Sequence, residues 1–309
     1  MRITKLKKIV LILTAIAFVS LGIAAVIFFG QKLYRHEFSG DLARIYKFET
    51  FDAKGIEHIA VQTARADVII GPASGKHITV KLTGRATSDT TDFLPRLVTG
   101  EIGSSLEVRT EYPRKVNLTM GPNVIDLQLE IRIPKDKTPA LSVKVASGDI
   151  NIENGLFSDL AFETASGDVE LLDVQTGSLS ADSSSGDIDA HRLNAERSYL
   201  SAMSGAIHID EITGDVYAKT ASGDISVRYT DFTNDVTLLC ASGDAELFLP
   251  KDAEFTLSAY TGSGDISYDF PIAATGSNIH KRSLESIVGR GTHRIEIKTA
   301  SGDISILPR

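Results

Sequence analysis

Leu141-Ser-Val143-Lys-Val145-Ala-Ser147-Gly148-Asp149-Ile150-Asn-Ile152 is the stretch that decides the reading of this chain. Apolar and polar residues alternate on both sides of a Ser-Gly-Asp tripeptide, the pattern of two short strands, each with one face buried, joined at a corner. The Ser-Gly pair returns at Ser166, Ser185, Ser204, Ser222, Ser242, Ser263 and Ser301, in steps of 19, 19, 19, 18, 20, 21 and 38 residues, the last twice 19. Leu160/Phe162/Thr164, Val216/Ala218/Thr220 and Ile295/Ile297/Thr299 repeat the strand before the corner; Val169/Leu171, Ile207/Ile209 and Ile304/Ile306 repeat the strand after it. The frame keeps its register while length varies only in the connections, as stacked coils require, because a one-residue slip would turn a strand's apolar set to solvent.

The period predicts an all-β chain, a β-solenoid of single-stranded β-helix type with coils of about 19 residues. Its structural corners are Gly148, Gly167, Gly186, Gly205, Gly223, Gly243, Gly264 and Gly302. A β-sandwich also has short strands and regular turns, but it does not need one Ser-Gly corner eight times, seven of them Ser-Gly-Asp. Residues 141–309 form the regular repeat. Residues 45–140 read as irregular first coils or a cap: Ile59-Ala-Val61-Gln-Thr63-Ala-Arg65-Ala66-Asp67-Val68 fits the frame with Arg65-Ala66 in place of Ser-Gly. The stretch 271–292 reads as either a diverged coil or an inserted loop.

Ahead of the strands lies a different segment. Arg2, Lys5, Lys7 and Lys8 fill a basic tip, residues 1–8, and residues 9–30 then run 22 positions without a charge. A bilayer core needs about 20 apolar residues, so 9–30 is expected to be one N-terminal transmembrane helix, retained as an anchor, with a long cleaved signal peptide as the alternative, and 31–44 a linker. The preceding positive charges orient the N-terminus to the cytoplasm and the remainder outside.

Charge follows the same polarity. Residues 1–40 hold six Lys/Arg against one acid, residues 41–140 hold 14 against 13, and residues 141–309 hold 12 against 26. So acidic a second half repels nucleic acid, which is not expected as a partner. The single cysteine, Cys240, excludes an intrachain disulfide framework and falls on the apolar side of a strand, as a core thiol.

The corner acids admit two readings. Stacked coils would place Asp149, Asp168, Asp187, Asp224, Asp244 and Asp265 in one column about 4.8 Å apart, where they could hold a ladder of cations or simply close turns through nearby backbone N–H groups. The turn is favoured: Ser204-Gly205-Ala206 drops its carboxylate, and one acid per corner falls short of the six to eight oxygens that Ca²⁺ takes. No metal or cofactor is expected. Nor is an enzyme. Gly71-Pro-Ala-Ser-Gly75-Lys76-His77 is one residue short for a phosphate loop and ends in His, the histidines form no i, i+4 pair, and acids such as Asp187 and Asp189 belong to the repeat.

Ile131-Arg-Ile133-Pro134 leading into the first regular coil, the repeated Ala-Ser-Gly-Asp-Ile and the basic anchor together resemble a bacterial family of domains of unknown function, described as putative adhesins with β-strand repeats. The resemblance covers about residues 45–309. It implies a non-catalytic surface protein of the cell envelope, a binding or scaffold module contacting an extracytoplasmic protein or cell-wall glycan. An envelope-stress accessory or sensor acting through a membrane partner is the alternative, and a glycan-active enzyme the third reading.

Overall fold

The computed structural model describes residues 42–87, 94–112, 125–271 and 278–309, and these contain strands and no helix. The expected membrane helix at 9–30 lies outside the described residues. No helix among them is long and apolar enough to cross a membrane.

The strands of successive regular coils stack in parallel with offsets of 18 to 20 residues. Val169 sits beside Ile188, Ile188 beside Ile207, and Ile207 beside Ile225, so the residue after each corner forms a column inside the body. Each regular coil has more strand than the two short arms expected from the sequence. Val169–Ser185, Ile188–Ser204 and Ile207–Ser222 are unbroken strands that turn twice between corners. Burial shows where: in the first of them Val169/Leu171, Val174/Thr176 and Leu179/Ala181/Ser183 point inward, and the alternation breaks between the sets. The first break is a backbone bend with positive φ at Asn154 (52°), Asp173 (55°), Arg192 (53°) and Glu211 (61°), again 19 apart. None of these is glycine, so the sequence carries no glycine signal for this second bend; left-handed backbone in such residues costs on the order of 1 kcal/mol or more, held by the surrounding ladder.

From Tyr229 onward the middle side gives way to the loops 230–235 and 250–254. Aromatic rings fill the space. Tyr229 is fully buried, with its hydroxyl donating to the Gly214 carbonyl at 2.8 Å. Phe232 packs edge-on against Tyr229 (5.1 Å between centroids) and against Phe255 (6.2 Å), and Phe255 meets Phe270 at 5.3 Å.

At both ends the stacking order departs from chain order. The Arg65-Ala66 coil, His58–Thr63 and Ala66–Ala73, lies between Ala140–Val145/Ile150–Glu153 on one side and Ser105–Glu111/Ile125–Pro134 on the other. The last coil, His293–Ser301 and Ile304–Pro308, is inserted between the Ser242 and Ser263 coils. This explains the 38-residue step: Ser301 and Ser263 belong to adjacent coils whose spatial order is reversed. Within 271–292 the structure places an antiparallel hairpin, Asn278–His280 with Ser283–Val288, laid against Phe255–Thr261. The opposite end is closed by Leu42–Asp52 on His77–Thr87 and by Arg96–Ile102 on Ser105–Glu111, all antiparallel.

The corner glycines have φ between 130° and 158° and stack backbone on backbone. A Cβ built on Gly223 would lie 2.2 Å from the Gly205 carbonyl oxygen. Gly223→Val is therefore expected to lose ~3 kcal/mol or more of stability, from strain plus overpacking. Gly75→Ala, whose added Cβ meets nothing within 4 Å, should stay within about 0.5 kcal/mol of the parent. Thermal melting of the two variants side by side checks both.

Candidate functional site

The corner acids form one hydrogen-bonded column. At each regular corner the glycine N–H donates to the next coil's serine carbonyl, as from Gly167 to Ser185, and the residue after the acid donates to the next coil's aspartate carbonyl, as from Val169 to Asp187. The N–H of the acid itself points back to the preceding coil, whose carboxylate receives it. Asp168 N–H donates to Asp149 Oδ1 (2.9 Å), Asp187 to Asp168 (2.8 Å), Ala206 to Asp187 (2.7 Å), Asp244 to Asp224 (2.8 Å), Asp303 to Asp244 (2.7 Å) and Asp265 to Asp303 (2.8 Å). Asp67 starts the column by accepting from Asp149 at 3.0 Å. Asp67 and Asp303 are members the sequence reading did not include. Ala206 has no carboxylate to offer Asp224, so one rung is missing. Among the described residues, no group of three or more His, Cys, Asp or Glu side chains is placed to hold a metal ion.

Outward positions two and four residues past the corner make a shallow hollow of about 280 Å³. Asp210 is held on both oxygens, by His191 Nδ1 at 3.2 Å and by Arg228 at 3.1 Å, and the Arg228 guanidinium lies 4.8 Å over the Phe248 ring. Asp189 stands beside Glu170 in the same column. Asp189 is exposed at its tip, and partial desolvation at its base pushes its carboxyl above the ordinary range; Asp187, Asp168 and Glu170 add to the rise and His208 opposes it. Of the two acids the sequence could not separate, Asp187 is therefore a rung of the corner column and Asp189 an outward, destabilised carboxylate.

The larger concavity is on the side before the corner. A groove of about 960 Å³ runs across the coils from Ser142 and Lys144 through Glu163, Asp182 and Ser201 to Lys219 and Leu239. Parallel register makes Lys144, Glu163, Asp182, Ser201, Lys219 and Leu239 one outward row. The neighbouring outward row begins with the small residues Ser142, Ala161 and Ser180 and then rises abruptly at Tyr199. Tyr199 and Tyr217 stack with centroids 5.0 Å apart and planes 5° apart, and Lys219 Nζ lies 5.3 Å from the Tyr199 centroid. Met203, on the groove wall, is 64% exposed. Cys240 borders the groove with its side chain turned inward. It takes the place held by Thr220 and Thr299 in adjacent coils, its Sγ donates to the Asp244 carbonyl at 3.7 Å, and burial pushes its thiol up to about 12.

This stack of parallel coils over nearly the whole chain is a shared architecture. Residues 56–307 match the family described as Toastrack DUF4097. The chain belongs to that family. Among solved structures it is similar to a putative adhesin from Bacteroides fragilis (15% identity, 85% of this chain and 97% of that one, TM-score 0.51). It is also similar to a putative adhesin from Parabacteroides distasonis (17% identity, 87% and 98%, TM-score 0.44). No curated protein matches the chain. At these identities the Bacteroides structure speaks for the fold alone.

Two outcomes follow from the acids of this Toastrack domain. Asp187→Ala strips the Ala206 N–H of its acceptor and should cost about 1–2 kcal/mol, while Asp187→Asn, which keeps an acceptor, costs less; melting midpoints in EDTA and in millimolar Ca²⁺ should coincide. Asp189 binds its proton more tightly folded than unfolded, so its share of stability is present at low pH and is lost as pH rises through the folded value. Asp189→Asn should therefore raise stability at neutral pH and flatten the profile across the acid range, read by denaturant titration at a series of pH values.

Proposed function

We propose that this Toastrack protein is a non-catalytic binding module of the bacterial cell envelope, held outside the membrane by residues 9–30, that lays a wall glycan along the groove beside Tyr199. The observation that carries this reading is the step in the outer row, where Ser142, Ala161 and Ser180 leave a low floor against the Tyr199 ring. Sugars present apolar ring faces and a rim of hydroxyls. An exposed tyrosine offers a rigid amphipathic surface to the first, and Asp182, Glu163, Ser201 and Lys219 offer donors and acceptors to the second. The groove crosses six stacked coils, roughly 24 Å at strand spacing, a length that suits a polymer better than a compact metabolite.

The test is calorimetric titration of the protein with solubilised wall glycan. Tyr199→Ala and Asp182→Ala should each raise the Kd about tenfold, which is ~1.4 kcal/mol, with the melting temperature unchanged. Glycan binding that ignores both substitutions would sink the reading, as would exclusive binding to a protein ligand.

A further inference from the structure

Leu42–Asp52 is the outermost strand of its end of the body. It pairs with His77–Thr87, which pairs with Ile125–Pro134, so it stands two strands beyond Ile125–Pro134 and three beyond Ala66–Ala73. An edge strand usually carries charge outward and hides its aromatics. This one shows Tyr46 66% exposed and Phe48 52% exposed. Arg44 is exposed on the same face of the strand and Lys47 on the opposite face, while Arg85, across from Arg44, is paired with Asp126 at 3.6 Å. Of the strand's two acids, Glu49 accepts from the Thr99 hydroxyl, and Asp52, at the far end of the strand from Arg44, accepts the Lys54 N–H at 3.0 Å.

We propose that this aromatic and basic edge is a membrane-docking surface that seats in the anionic phospholipid headgroups of the bilayer crossed by residues 9–30. The inference rests on that anchor reading, and chain length supports it: eleven residues, 31–41, separate the apolar segment from the strand and reach at most ~37 Å fully extended. Tyrosine and other amphipathic rings favour the interface between acyl chains and water. Arginine and lysine near an anionic surface add about 1 kcal/mol each. Charge on the rest of the body agrees, since residues 141–309 hold 12 Lys/Arg against 26 acids and are repelled from the same surface. The body then stands end-on, with Leu42–Asp52 down and the last coils away from the bilayer.

The chain contains no tryptophan, so Phe48→Trp, and separately Tyr46→Trp, gives the full chain a single tryptophan that can be excited selectively over its tyrosines. Reconstituted in vesicles of phosphatidylglycerol and phosphatidylethanolamine, each variant should show blue-shifted emission that brominated lipid quenches at least twofold. Adding Arg44→Glu with Lys47→Glu should abolish the quenching. Solvent-like, unquenched emission from a chain that stays with the vesicles through alkaline washing overturns the docking surface while leaving the anchor standing. Release by alkaline washing overturns the anchor reading and this placement with it. A blue shift that persists in detergent, with the protein sedimenting as a dimer, assigns the edge to a second copy of the chain and also overturns the proposal.

Discussion

The structure depends on how closely one coil's backbone lies over the next at the glycine corner. A Cβ on Gly167, Gly186, Gly205, Gly223, Gly243 or Gly302 would fall 2.0–2.2 Å from the preceding glycine carbonyl, inside any permitted contact. That approach is what lets successive corners superpose, and superposed corners bring Ile150, Val169, Ile188, Ile207 and Ile225 into one buried column. The aspartate follows from the same geometry. A corner that commits its glycine N–H and its following N–H to the next coil leaves one N–H facing backwards, and an orphaned amide is expensive. The carboxylate of the coil behind supplies the missing acceptor. Glycine and aspartate are thus two halves of one solution, which is why they travel together and why Ala206 is the only regular corner to lose its acid.

Because the requirement is local and repeats exactly once per coil, it was legible in the sequence. So were the inward rows around it, whose alternation is strict enough to fix the register of nearly every strand from Leu141 on. Other features left no such trace. The bends at Asn154, Asp173, Arg192 and Glu211 adopt left-handed backbone with four different side chains, because stacking on both sides over-determines them. The order of coils at the two ends was hidden for another reason: register patterns say that two strands can pair, and a coil fits equally well on either open face of a stack. Of the candidate groove, the sequence showed only that outward positions between corners vary. That Tyr199 and Tyr217 are neighbours requires knowing that an 18-residue step separates equivalent positions there, the shortest step in the repeat.

The repeat separates the positions that set stability from those free to vary. Inward positions are constrained by packing and corner positions by backbone contact. Outward positions are constrained by neither, so the rows from Lys144 to Leu239 and from Glu170 to Arg228 are where side chains depart from one coil to the next. Cys240 shows the boundary between the two regimes. It borders the groove, yet its Sγ is bound inside the coil and its thiol is held far from ionisation, so it serves the core as the threonines of adjacent coils do.

Chain ends pose the remaining problem of any solenoid, because the first and last coils would otherwise expose an unpaired edge and fray. Here neither terminal coil is terminal in space. His58–Thr63/Ala66–Ala73 and His293–Ser301/Ile304–Pro308 both have strands on two sides, and the C-terminal Arg309 is tied by its N–H to the Leu249 carbonyl at 2.7 Å and by its side chain to Glu211 and Thr230. The exposed work of ending the stack falls instead to antiparallel strands that do not belong to the repeat. Being free of its register, they can carry side chains that no coil could accommodate at a corner or in the core. Tyr46 and Phe48 on Leu42–Asp52 show it: the coils bury rings such as Tyr229 and Phe255, whereas the cap, like the outward rows of the repeat, is free to turn its rings to the surface it faces.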